Sequence, residues 1–346
     1  MKNISNIFLN KKILIYGLGK SGISTSKFLL NKSNIFLYDD LHLKIKNSKL
    51  NRYIVNLKKV KKIKFDAIIL SPGIDINNCR LSKFLKKNHF KIFSDLDVFY
   101  EFYKNDCITI TGTNGKSTTC KLLYEVLHKK KLDVRLVGNI GNPILSVKNV
   151  KKKTVFVIEA SSYQLEYSKL FKSKFSAILN ISPDHIERHK SLNKYVKAKF
   201  KLINNQTKND YSFLKRNDNL ISKELKLNKL ESKIIKVDQK KIENYLKNIG
   251  NNYFLSKTNK ENLSFVLAIS RIFKIKDKLL KKTIQNFKGL RYRQQIILKR
   301  KNLTVINDSK STSFSSTIDL LSNNKNIYWI LGGIHKQGDK FQLSKK

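Results

Sequence analysis

The stretch Ile108-Thr-Ile-Thr-Gly-Thr-Asn-Gly-Lys-Ser-Thr-Thr119 decides how the rest of the chain is read. Ile108 to Thr111 is an apolar, β-branched run that suits a buried strand. Gly112 and Gly115 follow, and from Lys116 to His128 the pattern is helical. In a strand–glycine loop–helix unit, successive backbone N–H groups face one point, where the helix N-terminus adds its partial positive charge. Gly112, Thr113, Asn114 and Gly115 would wrap a phosphate chain. Lys116 would bring a full charge to its β- and γ-phosphates, and Ser117 or Thr118 a hydroxyl for Mg²⁺. The spacing is shorter than the common G-x-x-x-x-G-K-[ST], because Ile110 stands where the first glycine would be. The pattern implies a nucleoside-triphosphate site; the alternative is an ordinary strand-to-helix turn that contains Gly-Lys-Ser.

Toward the N-terminus, Lys12-Ile-Leu-Ile-Tyr16 is a second strand pattern and runs into Gly17-Leu-Gly19-Lys-Ser-Gly22. A helical stretch to Leu30 and a strand over Asn34–Tyr38 follow, ending in Asp39-Asp40. G-x-G-x-x-G between strand and helix, with an acid about 20 residues on, is the dinucleotide fingerprint. Alone it suggests an NAD-dependent oxidoreductase, yet such a loop reads pyrophosphate and not nicotinamide, so other nucleotide diphosphates fit as well. Phe65 to Leu70 is a strand entering the turn Ser71-Pro72-Gly73, and another strand lies near Lys91–Phe93. This first α/β unit is expected to end near Tyr100, with no Gly/Ser-rich linker to mark the boundary.

Toward the C-terminus, Asp133 to Val137 is a strand delivering Gly138-Asn139, and Thr154 to Ile158 one ending in Glu159. A carboxylate there is either a Mg²⁺ ligand or a solvated strand-end charge. The strand Phe175–Leu179 leads to Asp184-His185-Ile-Glu187-Arg188-His189, where His185 is either functional or a satisfied loop histidine. The helix Asn193–Leu202 carries Lys199, which no spacing rule separates from its neighbouring lysines. Residues 210–252 are Lys/Asn-rich and too weakly patterned for strands to be placed. A helix over Asn262–Phe273 is clear. After Arg293, Thr304-Val-Ile306 is a strand ending in Asn307-Asp308-Ser309-Lys310-Ser-Thr312, followed by a helix to Leu321 and a strand over Tyr328–Leu331. That starts a third α/β unit. The units are expected at 1–100, 101–289 and 290–346. The last is about half of the roughly 100–150 residues a domain usually needs, so the chain reads as cut short.

Composition narrows the function classes. The chain carries 71 Lys+Arg against 25 Asp+Glu, a net charge of +46. Nucleic-acid or acidic-membrane binding would explain such a charge. The lysines are nevertheless spread along the whole chain and no aromatic-interleaved basic motif occurs, which favours compositional drift at tolerant surface positions and a field suited to anionic substrates. No run reaches the 18 apolar residues of a membrane span, and Met1 to Asn10 lacks a signal-peptide core. Cys79, Cys107 and Cys120 lie far apart with no C-x-x-C, so a disulfide framework or zinc site is not expected and a reducing cytoplasm fits.

Four segments taken in order resemble the Mur ligases of peptidoglycan synthesis: Gly112-Thr-Asn-Gly-Lys-Ser-Thr118, Glu159-Ala-Ser-Ser-Tyr-Gln-Leu-Glu166, Asn180-x-x-x-Asp184-His185-x-Glu187-Arg188 and Asn307-Asp-Ser-Lys310. The second segment, the N-terminal glycine fingerprint and Ser71-Pro72-Gly73-Ile74 resemble the branch that adds D-glutamate to UDP-N-acetylmuramoyl-L-alanine. A sister branch usually has His where Asn114 stands, and another lacks the N-terminal fingerprint. The resemblance spans essentially the whole chain. It implies an α/β architecture of three domains: an N-terminal Rossmann-like domain for the UDP substrate, a central P-loop ATPase-like domain, and part of a C-terminal Rossmann-like domain for the amino acid.

The resemblance also implies roles. Gly17, Gly19, Gly22 and Asp39, with Ser71, Pro72 and Gly73, would hold the UDP end, so the oxidoreductase reading falls. Asn139, Ser161 and Gln164 would face the muramoyl part. ATP would meet Gly112 through Thr118 and also Asn262, Arg293, Asp308 and Lys310. Two Mg²⁺ sites are implied, with Ser117 and Glu159 at one and His185 and a carbamylated Lys199 at the other. Lys116, Lys199, His185 and Arg293 would carry catalysis. Thr312 and Lys336 would approach D-glutamate. Tyr292 and Thr258 depart from the family, which often has His at both places. The incomplete third unit implies little turnover by residues 1–346. A cytoplasmic monomer without a specific nucleic-acid partner is expected. The rivals are another amino-acid-adding member of the family, an NAD-linked redox protein and a basic nucleic-acid-binding P-loop protein.

Overall fold

The short apolar runs become the strands of two parallel sheets separated by helices. The computed structural model describes residues 6–41, 45, 49–239, 242–247, 249–334 and 341, the side chains of Ser315 and Asp319 excepted. Strands β1 (Lys12–Tyr16), β2 (Asn34–Tyr38), β3 (Ala67–Leu70) and β4 (Ile92–Phe93) form the first sheet in the order β2-β1-β3-β4. Strands β5 (Cys107–Thr111), β6 (Val134–Gly138), β7 (Val155–Glu159), β8 (Phe175–Ile178), β9 (Tyr211–Lys215) and β10 (Lys233–Val237) form the second, in the order β10-β9-β8-β5-β7-β6. All these pairings are parallel. Every residue of β5 and β7 is buried, which explains their near-continuous apolar composition. In each sheet the order of strand addition reverses beside the first strand, β1 or β5. Such a reversal opens a crevice at the C-terminal strand ends, and each glycine loop leaves from that point.

The helix Lys116–Lys129 packs against the helices Lys257–Ile272 and Asp277–Gln285 through Leu122, Val126, Leu263, Val266, Ile269 and Ile284. A second core runs without interruption from Ile13 and Ile69 in the first sheet to Phe156 and Ile158 in the second and Phe200 on the helix Leu192–Asn204. The helix Asp95–Phe102 lies at this junction, contributing Leu96 and Phe99 to that core. The two sheets are therefore joined by a packed helix, and no flexible linker was there to be found.

Two sequence readings change. The unassigned stretch 210–252 contains β9, the helix Asn219–Leu227, β10 and the helix Ile242–Leu246. In β10 only Val237 is buried, so that strand carries little apolar pattern, while β9 is buried along Ser212–Leu214 but short. Beyond residue 290 the expected strand over Tyr328–Leu331 does not form. Instead β11 (Gln295–Arg300) and β12 (Leu303–Asn307) make an antiparallel hairpin, followed by the helix Phe314–Ser322. A strand requires a neighbour for its N–H and C=O groups; among the described residues none runs beside Tyr328–Leu331, where Tyr328 and Ile330 are 99% and 96% exposed. Lys336 lies outside the described residues.

Candidate active site

The phosphate loop after β5 needs its glycines. Gly112 and Gly115 have φ of +155° and +84°, and a Cβ on Gly115 would stand 1.9 Å from Asn262 Oδ1. The helix that begins at Lys116 has no side-chain cap, leaving its first N–H groups for a ligand. Lys116 Nζ donates to the carbonyls of Gly112 (2.9 Å) and Thr113 (2.8 Å). Burial lowers its pKa, while Glu159 and Asp184 pull the other way. Ser117 Oγ donates to Glu159 Oε2 at 2.7 Å, and Asn139 Nδ2 to Glu159 Oε1 at 2.8 Å. At 1% exposure Glu159 is not a solvated strand-end charge. Of the two candidate hydroxyls, Ser117 is the one beside this carboxylate. Thr118 faces Tyr253, with the two oxygens 3.4 Å apart.

Lys199 is fully buried in the helix Leu192–Asn204; its Nζ donates to Gly112 O at 2.8 Å and lies 4.5 Å from the Tyr195 ring centre. Desolvation, reinforced by the charge of Lys116, holds its pKa well below the usual lysine value. His185 has φ +54° at the start of the helix Ile186–His189. Its Nε2 is 3.3 Å from Asp184 Oδ2 and its Nδ1 3.6 Å from Glu187 Oε1. Among the described residues no group of three or more His, Cys, Asp or Glu side chains is gathered for a metal. The Ser117–Glu159 pair is nevertheless an all-oxygen set at the mouth of the phosphate loop, which suits Mg²⁺ completed by phosphate oxygens and water. Lys199 fits a hard cation only after its amine has been converted to an anion.

Asn114, Gly115, Thr118, Thr258, Asn259, Asn262, Arg293, Gln294 and Ser316 line one pocket beside the loop. Asn262 Oδ1 and Arg293 Nε are buried there without a hydrogen-bond partner. The Arg293 guanidinium donates to Lys310 O at 3.3 Å. Asp308 accepts from Gln294 N (3.0 Å) and Ser311 Oγ (2.6 Å), and Lys310 N donates to Tyr292 O at 2.9 Å. Asp308 and Lys310 are thus tied to the segment 292–294, and Thr312 is exposed just beyond.

In the first crevice, Gly17 has φ +95° and a Cβ on Gly22 would stand 1.8 Å from Gly17 O. Gly19 begins the helix Lys20–Leu29 without a side-chain cap. Asp39 accepts from the backbone N–H of Leu18 (2.7 Å) and of Leu41 (2.9 Å), so it braces the loop itself. Ser71 Oγ donates to Gly17 O at 2.6 Å, fixing the Ser71-Pro72-Gly73 turn against the loop. Ser161 and Gln164 form a capping box on the helix Ser162–Tyr167, and the Gln164 amide reaches both oxygens of Asp95 at 3.3 Å. Sequence reasoning assigned no role to Arg188. It donates to Ile74 O and to Tyr167 Oη, each at 2.5 Å, tying the turn of the first unit to the second. Asn180, which hydrogen-bonds Asn114 of the phosphate loop, and Glu261, which accepts from Asn180, also received none. Nothing in spacing could have paired residues so far apart.

Residues 110–289 match the Mur ligase middle domain. Over 355 residues the chain is 33% identical to the UDP-N-acetylmuramoylalanine–D-glutamate ligase of Rickettsia felis, covering 96% of this chain and 78% of the relative. The chain belongs to the Mur ligase family. Ligases of the same description from Rickettsia prowazekii and Clostridioides difficile are each 34% identical, covering 96% and 94% of this chain and 79% and 78% of theirs. Two solved Mur ligases share the fold at low identity. One is the UDP-N-acetylmuramate:L-alanyl-γ-D-glutamyl-meso-diaminopimelate ligase of Neisseria meningitides, with a TM-score of 0.55, 13% identity and coverage of 81% of this chain and 99% of that one. The other is the Thermotoga maritima MurF ligase in complex with ADP, with a TM-score of 0.52, 12% identity and coverage of 93% and 75%.

Proposed function

We propose that this chain is an ATP-dependent, ADP-forming ligase that joins D-glutamate to the alanyl carboxylate of UDP-N-acetylmuramoyl-L-alanine, a step of cytoplasmic peptidoglycan precursor synthesis, and that it works as a monomer. The observation that carries this reading is the convergence of Lys116, Ser117 and Glu159 at a phosphate loop in a Mur ligase fold whose curated relatives are D-glutamate ligases. The substrate carboxylate attacks the γ-phosphorus of ATP, the bond to the β-phosphate oxygen breaks, and an acyl phosphate and ADP result. The amine of D-glutamate then attacks the acyl carbon, and phosphate leaves as the amine proton is lost.

The protein must bring several anions together and stabilise charge on the transferring group. Lys116 and Arg293 supply fixed positive charge, and Asn262 and Asp308 orient the nucleoside. Asn139 holds the Glu159 carboxylate toward Ser117. Mg²⁺ held by Ser117 and Glu159 would neutralise phosphate oxygens. A second Mg²⁺ would take His185 and Lys199. Burial favours the neutral amine of Lys199, the form that can add to CO₂ and, after losing a proton, become an anionic carbamate. Thr312 and Lys336 would receive D-glutamate, and Ser161 and Gln164 would support the muramoyl part. The test is product mass after prolonged incubation with ATP, UDP-N-acetylmuramoyl-L-alanine and each of a panel of amino acids. A gain with D-glutamate alone is expected. A gain only with another amino acid would reassign the acceptor, and ADP release indifferent to the UDP substrate would refute the reading.

A further inference from the structure

The phosphate loop is held by a network that none of the assigned roles uses. The Asn180 side chain, just past β8, pairs with both peptide groups of Asn114. Its Oδ1 accepts from Asn114 N at 2.9 Å, and its Nδ2 donates to Asn114 O at 3.2 Å. The same Nδ2 donates to Glu261 Oε1 at 2.8 Å. Glu261, 5% exposed, accepts through Oε2 from Lys215 Nζ (2.6 Å) and Gln239 Nε2 (2.9 Å). Lys215 is the last residue of β9 and Gln239 lies just past β10, the strands the sequence did not reveal. The Asn114 amide is therefore not directed at a phosphate: its orientation is fixed from the protein side.

Glu261 lies in the helix Lys257–Ile272, one residue before Asn262. Asn262 lines the nucleotide pocket with its buried, unpartnered Oδ1, and that oxygen stands where a Cβ on Gly115 would be. One helix turn thus touches the loop at two points, by packing at Gly115 and by hydrogen bonds through Asn180 at Asn114. We propose that Glu261 is a positioning residue of the nucleotide site, holding the phosphate loop through Asn180 at a set distance from Asn262. The base and phosphate parts of a nucleoside polyphosphate are then read by one rigid unit. The donor pattern allows a single arrangement: Asn180 must accept from the loop and donate to the carboxylate, and a carboxylate can only accept. The inference rests on the nucleotide reading of this pocket and not on the identity of the acceptor amino acid.

The exchange of partners tests it. Asn180→Asp sets two carboxylates face to face, and Glu261→Gln sets an amide against donors on both sides. In the double variant the new carboxylate can accept from both the loop and the new amide. Calorimetry with ADP and, separately, with UDP-N-acetylmuramoyl-L-alanine gives the affinities. Asn180→Asp is expected to weaken ADP binding about tenfold or more, the loss of a charge-assisted hydrogen bond. Glu261→Gln weakens it less, and the double variant regains only part of the Asn180→Asp loss, because the Asn114 carbonyl still lacks its donor, but its loss falls clearly short of the product of the two single losses, the non-additivity of a coupled pair. Affinity for the UDP substrate stays unchanged throughout. Single variants that bind ADP normally, or a double variant whose loss is the product of the two, would overturn the proposal. So would a parallel loss of both ligands, which marks a general folding role. Failure of the unsubstituted chain to bind ADP would overturn the nucleotide reading itself, and this inference with it.

Discussion

Two buried aspartates on the helix Asp95–Phe102 should respond in opposite directions when neutralised. Asp97 is fully buried and accepts six hydrogen bonds. Oδ2 takes Ser94 N (2.9 Å) and Ser94 Oγ (3.2 Å); Oδ1 takes Ser168 Oγ (2.9 Å) and the N–H groups of Lys169 (2.9 Å), Leu170 (2.8 Å) and Phe171 (3.0 Å). In Asp97→Asn the amide oxygen can keep the loop donors, now without charge assistance. The amide nitrogen meets Ser94 N–H and strands a buried donor, which alone costs about 1–3 kcal/mol. With the weakened bonds to the loop, a total loss of about 3–5 kcal/mol follows, a large part of the stability of an ordinary domain. Asp95 has far fewer donors, chiefly the Gln164 amide, and burial pushes its pKa up to about 6. A carboxyl whose folded pKa lies above its unfolded value destabilises the fold when ionised. The penalty is absent below the unfolded value of 3.8 and complete above about 6. Asp95→Asn should therefore gain about 1–2 kcal/mol at pH 7, with the gain fading as the pH falls from about 6 toward 3.8. Urea unfolding followed by circular dichroism at pH 7 and pH 4 reads both. A loss under about 1 kcal/mol for Asp97→Asn, or shifts of the same sign at pH 7, would refute this reading of the junction.

The nucleotide site supports further expectations. Lys116→Ala should abolish turnover while UDP-substrate binding remains measurable by calorimetry; loss of both together would make Lys116 structural. Lys199→Ala should regain part of its activity from a small carboxylate in solution, and intact-mass measurement should find carbon dioxide added at Lys199 in the unsubstituted chain. No rescue and no added mass would sink the carbamate. Gly115→Ala forces a Cβ into Asn262 Oδ1 at a left-handed φ, so it should weaken ADP binding about tenfold or more with the UDP site intact. His189, beside Ser162, is held neutral by burial with its pKa lowered to about 4. Because the unfolded chain takes up that proton first, His189 should lower stability as pH falls from 6.5 toward 4, and His189→Gln should flatten this part of the pH–stability curve.

What could be read from sequence was what is local. The strand β5, its glycine loop and the helix after it lie within one continuous stretch, and their burial on both faces shows as an unbroken apolar run. The same holds for β1 with the first glycine loop. An exposed strand leaves no such trace: β10 exposes most of its residues and was not assigned, and the buried β9 beside it was missed among the surrounding lysines and asparagines. The run Tyr328–Leu331 shows the converse, since an apolar composition supplies a propensity and not a partner. At the site, residue types were legible and their partners were not. Asn180 meets Asn114 across 66 residues and Glu261 across 81, and Arg188 reaches Ile74 across 114. Asp39 and Asp40 were indistinguishable by pattern. The fold separates them, giving Asp39 the glycine loop and Asp40 the hydroxyl of Tyr16.

The two glycine loops are expected to hold two different ligands at once: a UDP-sugar at the first and an adenine nucleotide at the second. Calorimetric titration of UDP-N-acetylmuramoyl-L-alanine and of a non-hydrolysable ATP analogue with Mg²⁺, in either order, tests it directly. Each ligand should bind one per chain whether or not the other is present, and Lys116→Ala should weaken only the nucleotide. Competition between the two ligands, or no binding of the UDP-sugar, would show that the loops do not form two separate sites.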